Sequence, residues 1–312
     1  METIKETIIQ KRPHLSKQSI STYTSILKNL FEKVFPNEVF DINKFNDNKK
    51  ILEHLKKVEP NKRKTVLSSL VILTDNKAYR EQMLEDIEEY NKEQHKQVMN
   101  DKQTESWVDT DEIKKLLSIL EKEVKLLYKK SAFVKNDSTA PKGATLSISD
   151  LQTIQNYIII CLLGGVYIPP RRSKDFVDFK INNINKATDN YINKNKLVFN
   201  SYKTAKTYGQ QEVEIPHELS KILKKWIKVN PTDYLLFDSN KNQLSNVKLN
   251  QRLNKLFGNK KVGVNQLRHT FLTDKYQSTI ETNNEMAKDM QKMGSSKIQE
   301  PIYIKKKKSI EL

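Results

Sequence analysis

Residues 265–276 read NQLRHTFLTDKY, and the interpretation of the whole chain turns on them. Asn265 stands where an N-cap would start a helix over this stretch, and Asn is among the best residues for accepting a helix's first free N–H groups. Arg268 and His269 then lie side by side on that helix. The ordinary reading of the pair is a buried salt bridge beside a satisfied core histidine. The sharper reading is a cation aimed at an anion, with His269 either hydrogen-bonding the same anion or bracing Arg268. Arginine is scarce enough here for the distinction to matter: the chain holds 48 lysines but only seven arginines, and Arg171, Arg172 and Arg268 are three of the seven.

At 312 residues the chain exceeds what a single hydrophobic core usually supports, which predicts two domains. Lys plus Arg number 55 against 38 Asp plus Glu, a net charge of +17. That excess points to a polyanionic partner, nucleic acid before membrane. Abundant Lys, Asn and Ile with little Gly suggest an AT-rich genome, so part of the basicity is codon bias and the charge argument is discounted. A single cysteine, Cys161, excludes a disulfide-rich secreted scaffold and a Cys-rich zinc site. The apolar run 157–168 is shorter than the roughly 18 residues that span a bilayer, and METIKETIIQKR has no signal-peptide core. No membrane association is expected, and the protein reads as soluble and intracellular. His14, His54, His95 and His217 show no metal-ligand spacing, so neither a metal nor a cofactor is expected.

Outward from residues 265–276, periodicity predicts helices almost everywhere. SKQSISTYTSILKNLFEKVF (16–35) places Ile20, Tyr23, Leu27, Leu30 or Phe31, and Val34 on one face behind Ser16 as N-cap, between Pro13 and Pro36. Helical patterns follow over 49–58 and along one long stretch, 61–99. Residues 90–105 turn polar, as an interdomain linker or a solvated helix end would. This places a small all-helical domain at 1–100 and a second domain at 101–312. The second domain is expected to hold a helix from about Thr110, an exposed loop over 130–144, and a buried helix over 147–166 ending at Gly164-Gly165. A β-hairpin follows, NKLVFNSYKT and QQEVEIP around a turn at 205–209, then helices over 219–229, 246–257, 265–276 and 284–293. Met286, Met290 and Met293 lie at helical spacing and read as core. The fold class is mainly α with a small β-hairpin or sheet.

Three ordered segments resemble the signature of the tyrosine recombinase (phage-integrase) superfamily. PPRRSKDFVDFKI (169–181) looks like the helix start carrying the family's first arginine, and counting back from Asp175 and Phe176 assigns that role to Arg172. NQLRHTFLTDKY is similar to the family's His-x-Leu-Arg-His-Thr-Phe box, with Arg268 as second arginine and His269 its neighbour. KMGSSKIQEPIYIK (292–305) is similar to the Leu-Gly-His-Ser segment that precedes a nucleophilic tyrosine, here Tyr303, with Tyr276 the fallback. The family delivers an active-site lysine from a hairpin between the arginines, Lys203 first and Lys206 second. The resemblance covers about residues 107–305. The IPPRR and SYKTAKTYG wording looks most like members from large DNA viruses and mobile elements.

The resemblance implies a two-domain architecture, a helical core-binding domain plus a mixed helical catalytic domain. It implies site-specific cleavage and rejoining of double-stranded DNA through a covalent 3′-phosphotyrosine, by a homo-multimer assembled on DNA, in the host nucleus or cytoplasm if the source is viral. Such chemistry needs no cofactor, because the phosphotyrosine conserves the bond energy. Planar guanidiniums suit the non-bridging phosphate oxygens, and a lysine suits the leaving 5′-oxygen. Arg171 and Lys206, with Asn265, His269 and Ser295, are the expected phosphate-binding or supporting residues. The chain also departs from the family. Asn265 replaces the first histidine of the box, and Asn donates a hydrogen bond but shuttles no proton. Ser295 occupies the usual His or Trp position, Gly294 to Tyr303 is one residue shorter than typical, and Pro301 interrupts the helix expected to present Tyr303. Two alternatives therefore stand beside the recombinase: a catalytically degenerate DNA-binding protein on the same fold, and a type IB topoisomerase-like nicking and rejoining enzyme.

Overall fold

A computed structural model describes residues 2–136 and 146–295. The chain divides into two compact units, Met1–Met99 and Asn100–Leu312, each with its own apolar core.

The first unit is helical: α1 (Glu2–Lys11), α2 (Lys17–Val34), a 3-10 turn (Ile42–Asn46), α3 (Asn48–Leu55), α4 (Pro60–Thr74) and α5 (Lys77–His95). Helix α2 starts as its sequence predicts, with the Ser16 side chain accepting from Ser19 N–H, and buries Ile20, Leu27, Leu30, Phe31 and Val34. Helix α1 was not anticipated; its Ile4 and Ile8, four residues apart, are both wholly buried, which holds so short a helix in place. The long helical stretch predicted over 61–99 is two helices. Asp75 adopts a left-handed conformation (φ 55°) and Asn76 caps α5 by accepting from Ala78 N–H, so two residues tolerant of that geometry make a corner where periodicity showed none. Away from the corner, Arg63 in the first turn of α4 ties the two helices together, donating from Nε and Nη2 to the buried Asp86 carboxylate of α5 at 2.6–3.2 Å.

The second unit contains α6 (Asp101–Glu105), α7 (Thr110–Asn136), α8 (Ile148–Leu163), α9 (Ser173–Val177), β1 (Phe179–Lys180), β2 (Asn190–Asn193), β3 (Lys196–Phe199), α10 (Ala205–Tyr208), β4 (Gln211–Glu214), α11 (His217–Val229), α12 (Asn246–Leu256) and α13 (Val264–Lys292). Part of the polar stretch 90–105 is thus helical, α6 being started by a reciprocal capping box between Asn100 and Gln103. Helix α7 runs into the segment expected to be an exposed loop and reaches Asn136; residues 137–145 lie outside the described residues. Helix α8 is buried nearly all round, as a helix at the centre of a core must be, with α7, α11 and α13 packed on it.

The strands form one mixed sheet in the order β1-β2-β3-β4. β1 runs parallel to β2, and the β2–β3 and β3–β4 pairs are antiparallel. The predicted hairpin is β3–β4, with Lys196 opposite Glu214 and Phe199 opposite Gln211. Its inner face is an aromatic cluster, Phe199 meeting Phe176 and Phe179 edge-on at 5.8 and 5.7 Å. The mainly helical fold with a small sheet is therefore as the sequence predicts.

Helix α13 departs from expectation twice. The two helices predicted over 265–276 and 284–293 are one, because the polar run between them contains neither Gly nor Pro to end it. Its N-cap is Gly263, not Asn265. The capping acceptor comes from another helix: Asn250 Oδ1 on α12 accepts from Val264 N–H at 3.1 Å.

Candidate phosphate-binding site

Helix α8 ends at Gly164, and Gly165 follows with φ +76°. A Cβ on Gly165 would lie 2.8 Å from Phe271 Cδ2, so this glycine lets the end of α8 approach α13 three residues beyond Arg268. From there the chain runs through Pro169-Pro170 to Arg171 and Arg172, and Arg172 is the N-cap residue of α9. A cation at a helix N-terminus opposes the helix dipole and calls for a compensating charge nearby.

Asp175, in the first turn of α9, is that charge. It is 1% exposed, and its Oδ2 accepts from Arg171 Nε at 2.9 Å. Its Oδ1 is buried with no hydrogen-bond partner among the described residues. Burial holds the carboxyl above its ordinary pKa, while the positive charges of Arg171, Arg172 and Arg268 pull it down. The three arginines, 96–97 residues apart in sequence (268 − 172 and 268 − 171), thus act on one buried carboxylate. Arg268 responds in kind: burial first, then Arg172 and Arg171, lower its proton affinity, and Asp175 opposes them.

The two neighbouring arginines have different surroundings. Arg171 has two charged or polar partners: besides Asp175 it donates from Nη1 to Gln211 Oε1 on β4 at 2.9 Å. Its guanidinium lies 4.0 Å from the Phe199 ring centroid and 5.1 Å from that of Tyr202. It locks the α9 segment to the hairpin. Arg172 is half-buried and makes no hydrogen bond or ion pair with a described residue. Arg268 has one neutral partner, Asn265 Oδ1, which accepts from Nη1 at 3.2 Å. Among the described residues, Asp175 is the one carboxylate shown acting on Arg172 and Arg268, and both arginines keep donors to spare. Their planar donor forks suit phosphate oxygens.

The hairpin is tied to this centre by a residue that the sequence reading passed over. Asn190, wholly buried at the start of β2, donates from Nδ2 to Asp175 O at 2.9 Å and Ser201 O at 2.8 Å. Its Oδ1 accepts from Asn200 N–H and Ser201 N–H at 2.9 and 2.8 Å. Every hydrogen-bonding position of one amide therefore joins the arginine helix to the chain leaving β3. The same bonds turn the backbone out of the ladder after Phe199, so Lys203 sits in the connection between β3 and β4 and not at the end of the first strand. Lys206 lies on the single turn α10. Both lysines are exposed. A buried asparagine carries no signal in a lone sequence, where TDNYIN reads as polar loop.

Asn265 and His269 are exposed and Ser295 is half-buried, with Ser295 N–H donating to Met290 O at 2.8 Å. Tyr303, the expected nucleophile, lies outside the described residues, as does the basic run after it. Tyr276 is exposed on α13 beneath the Lys275 ammonium. Cys161 is buried on α8, and burial pushes its thiol up to about 12, which leaves it protonated. Among the described residues, no group of His, Cys, Asp or Glu is arranged to hold a metal ion, and no helix is long and apolar enough to cross a membrane.

No family model and no curated protein matches the chain. Among solved structures, it is similar to a lambda integrase dimer bound to a COC′ core site, at 11% identity and a TM-score of 0.43 over 88% of this chain and 69% of that one. A second lambda integrase dimer on a COC′ core site matches at 11% identity and a TM-score of 0.40, covering 100% of this chain and 97% of that one. A lambda integrase tetramer bound to a Holliday junction matches at 10% identity and a TM-score of 0.40, covering 88% and 69%.

Proposed function

We propose that the chain is a DNA strand transferase of the tyrosine recombinase type, acting on viral or mobile-element DNA as a homo-multimer. The observation that carries the reading is that Arg172 and Arg268, remote in sequence, lie within electrostatic reach of each other and of the one buried Asp175 carboxylate, with donors of both arginines left over. Two guanidiniums hold the non-bridging oxygens of one phosphodiester and stabilise charge as it redistributes. The Tyr303 hydroxyl attacks phosphorus, the bond to the 5′-oxygen breaks, and the tyrosine becomes joined to the 3′-phosphate. Lys203, or Lys206 from the same connection, gives its proton to the leaving 5′-oxygen, and the proton of the Tyr303 hydroxyl passes to solvent. A 5′-hydroxyl of the same or another strand reverses the step. The unit Asn100–Leu312 supplies this chemistry, and the unit Met1–Met99 holds DNA as a core-binding domain.

A second reading, a DNA-binding protein that has lost strand transfer, is favoured by Asn265, whose Oδ1 is committed to Arg268 and which carries no transferable proton. Incubation with nicked suicide duplexes, followed by denaturation, separates the two. A slow-migrating adduct formed by the wild type and abolished by Tyr303→Phe is the expected result. Tight, salt-sensitive binding with no adduct on any duplex, native ends included, would favour the degenerate reading. An adduct that survives Tyr303→Phe points to Tyr276, and relaxation of a supercoiled plasmid by a monomer points to the topoisomerase-like activity.

A further inference from the structure

The turn at 238–244 and helix α12 enclose a cleft of about 590 Å³ whose lining includes Asp238, Lys248, Gln251, Arg252, Asn254 and Lys255. Three cations line it against one carboxylate. That carboxylate is already committed: Asp238 Oδ2 accepts from Lys248 Nζ at 2.7 Å, and Oδ1 accepts from the N–H groups of Asn240 and Asn242. Arg252 is the unusual member. Its Nη2 makes one long bond, 3.3 Å, to Phe237 O, and its Nη1 is buried with no hydrogen-bond partner among the described residues.

One nitrogen of this half-buried guanidinium has given up water without gaining a partner, which is a costly arrangement unless something supplies an acceptor. Burial brings its proton affinity down to about 10, and Asp238 only partly restores it. The cleft is several times larger than a bare phosphate. Gln251 and Asn254 offer amide donors and acceptors around the cations, which suits a phosphate carried on a sugar and a base.

We infer that this cleft is a nucleotide-phosphate site, with the half-buried Arg252 as its anchor and the exposed Lys255 as its outer cation. None of its residues belongs to the Arg172–Arg268 set, and the inference stands whether or not Tyr303 forms an adduct. The nucleotide is either free or part of a nucleic-acid strand, and the two sources are separable by probe.

The test uses the full chain, with thermal shift and titration against inorganic phosphate, deoxyadenosine monophosphate and a short DNA duplex. The wild type is compared with Arg252→Met and Lys255→Gln. Lys224→Gln, on α11 outside the cleft lining, controls for loss of charge alone. Loss of one charge-assisted bond predicts about tenfold weaker binding in each cleft variant, with Lys224→Gln unchanged. Weakening for the mononucleotide identifies a free nucleotide, and weakening for the duplex alone identifies a strand. Should Arg252→Met fail to fold, Lys255→Gln carries the test by itself. The inference is overturned if no probe binds the wild type, if the cleft variants bind as the wild type does, or if Lys224→Gln weakens binding equally.

Discussion

Replacing Asn190 by alanine removes four hydrogen bonds at once while deleting little volume. The Asp175 carbonyl loses its partner in a fully buried setting, and the Ser201 carbonyl and the N–H groups of Asn200 and Ser201 lose theirs where burial is partial. An unsatisfied buried carbonyl costs about 1–3 kcal/mol and each of the three partly buried bonds about 0.5–1.5 kcal/mol, so the expected loss is about 2.5–7.5 kcal/mol. Asn190→Asp divides the effect. It keeps the acceptor for the two N–H groups but turns a second carboxylate oxygen on two carbonyls. A protonated aspartic acid can donate to one of those carbonyls, so the Asn190→Asp deficit should shrink as pH falls. Urea unfolding of wild type and both variants, at neutral and acidic pH, reads these quantities directly. A loss below about 1 kcal/mol in Asn190→Ala would refute the assignment, because it would mean that water or a shifted backbone satisfies all four groups.

Two further predictions concern the same centre. Gly165→Ala combines a positive φ with a Cβ 2.8 Å from Phe271, and should lower stability by about 1–3 kcal/mol in a denaturant melt; a loss below about 0.5 kcal/mol would show that α8 and α13 can move apart freely. Burial holds the Asp175 carboxyl above its ordinary value, so its contribution to stability is full below that value and is lost as pH rises through the raised one. The stability of Asp175→Asn relative to wild type should therefore improve as pH rises upward from the ordinary carboxylate range, and a flat or opposite trend in urea midpoints would contradict the direction of the shift.

Local chemistry was legible in the sequence wherever a single segment carried it. Ser16 and Ser147 cap the helices they precede, Gly164 ends α8, and alternation marked the two strands of the hairpin. Boundaries failed where neither Gly nor Pro was there to mark them: Asp75-Asn76 turns the chain between α4 and α5 without either, and the run between Tyr276 and Asn284 stays helical for want of a breaker. The N-cap of α13 was misplaced because its acceptor, Asn250, belongs to another helix.

The candidate site divides along the same line. The resemblance to the recombinase signature singled out Arg172 and Arg268, and the scarcity of a planar, permanently charged fork in a chain that otherwise uses lysine added weight to it. The tertiary structure supplied the physical difference between neighbours: Arg171 is held by Asp175, Gln211 and two aromatic rings, whereas Arg172 makes no hydrogen bond or ion pair with a described residue. Only the tertiary structure revealed Asn190 and Arg252, because burial gives an amide or a guanidinium its weight, and burial is set by what the remote parts of the chain pack around it. A sequence states which groups are present; the fold decides which of them are withdrawn from water and which partners they keep.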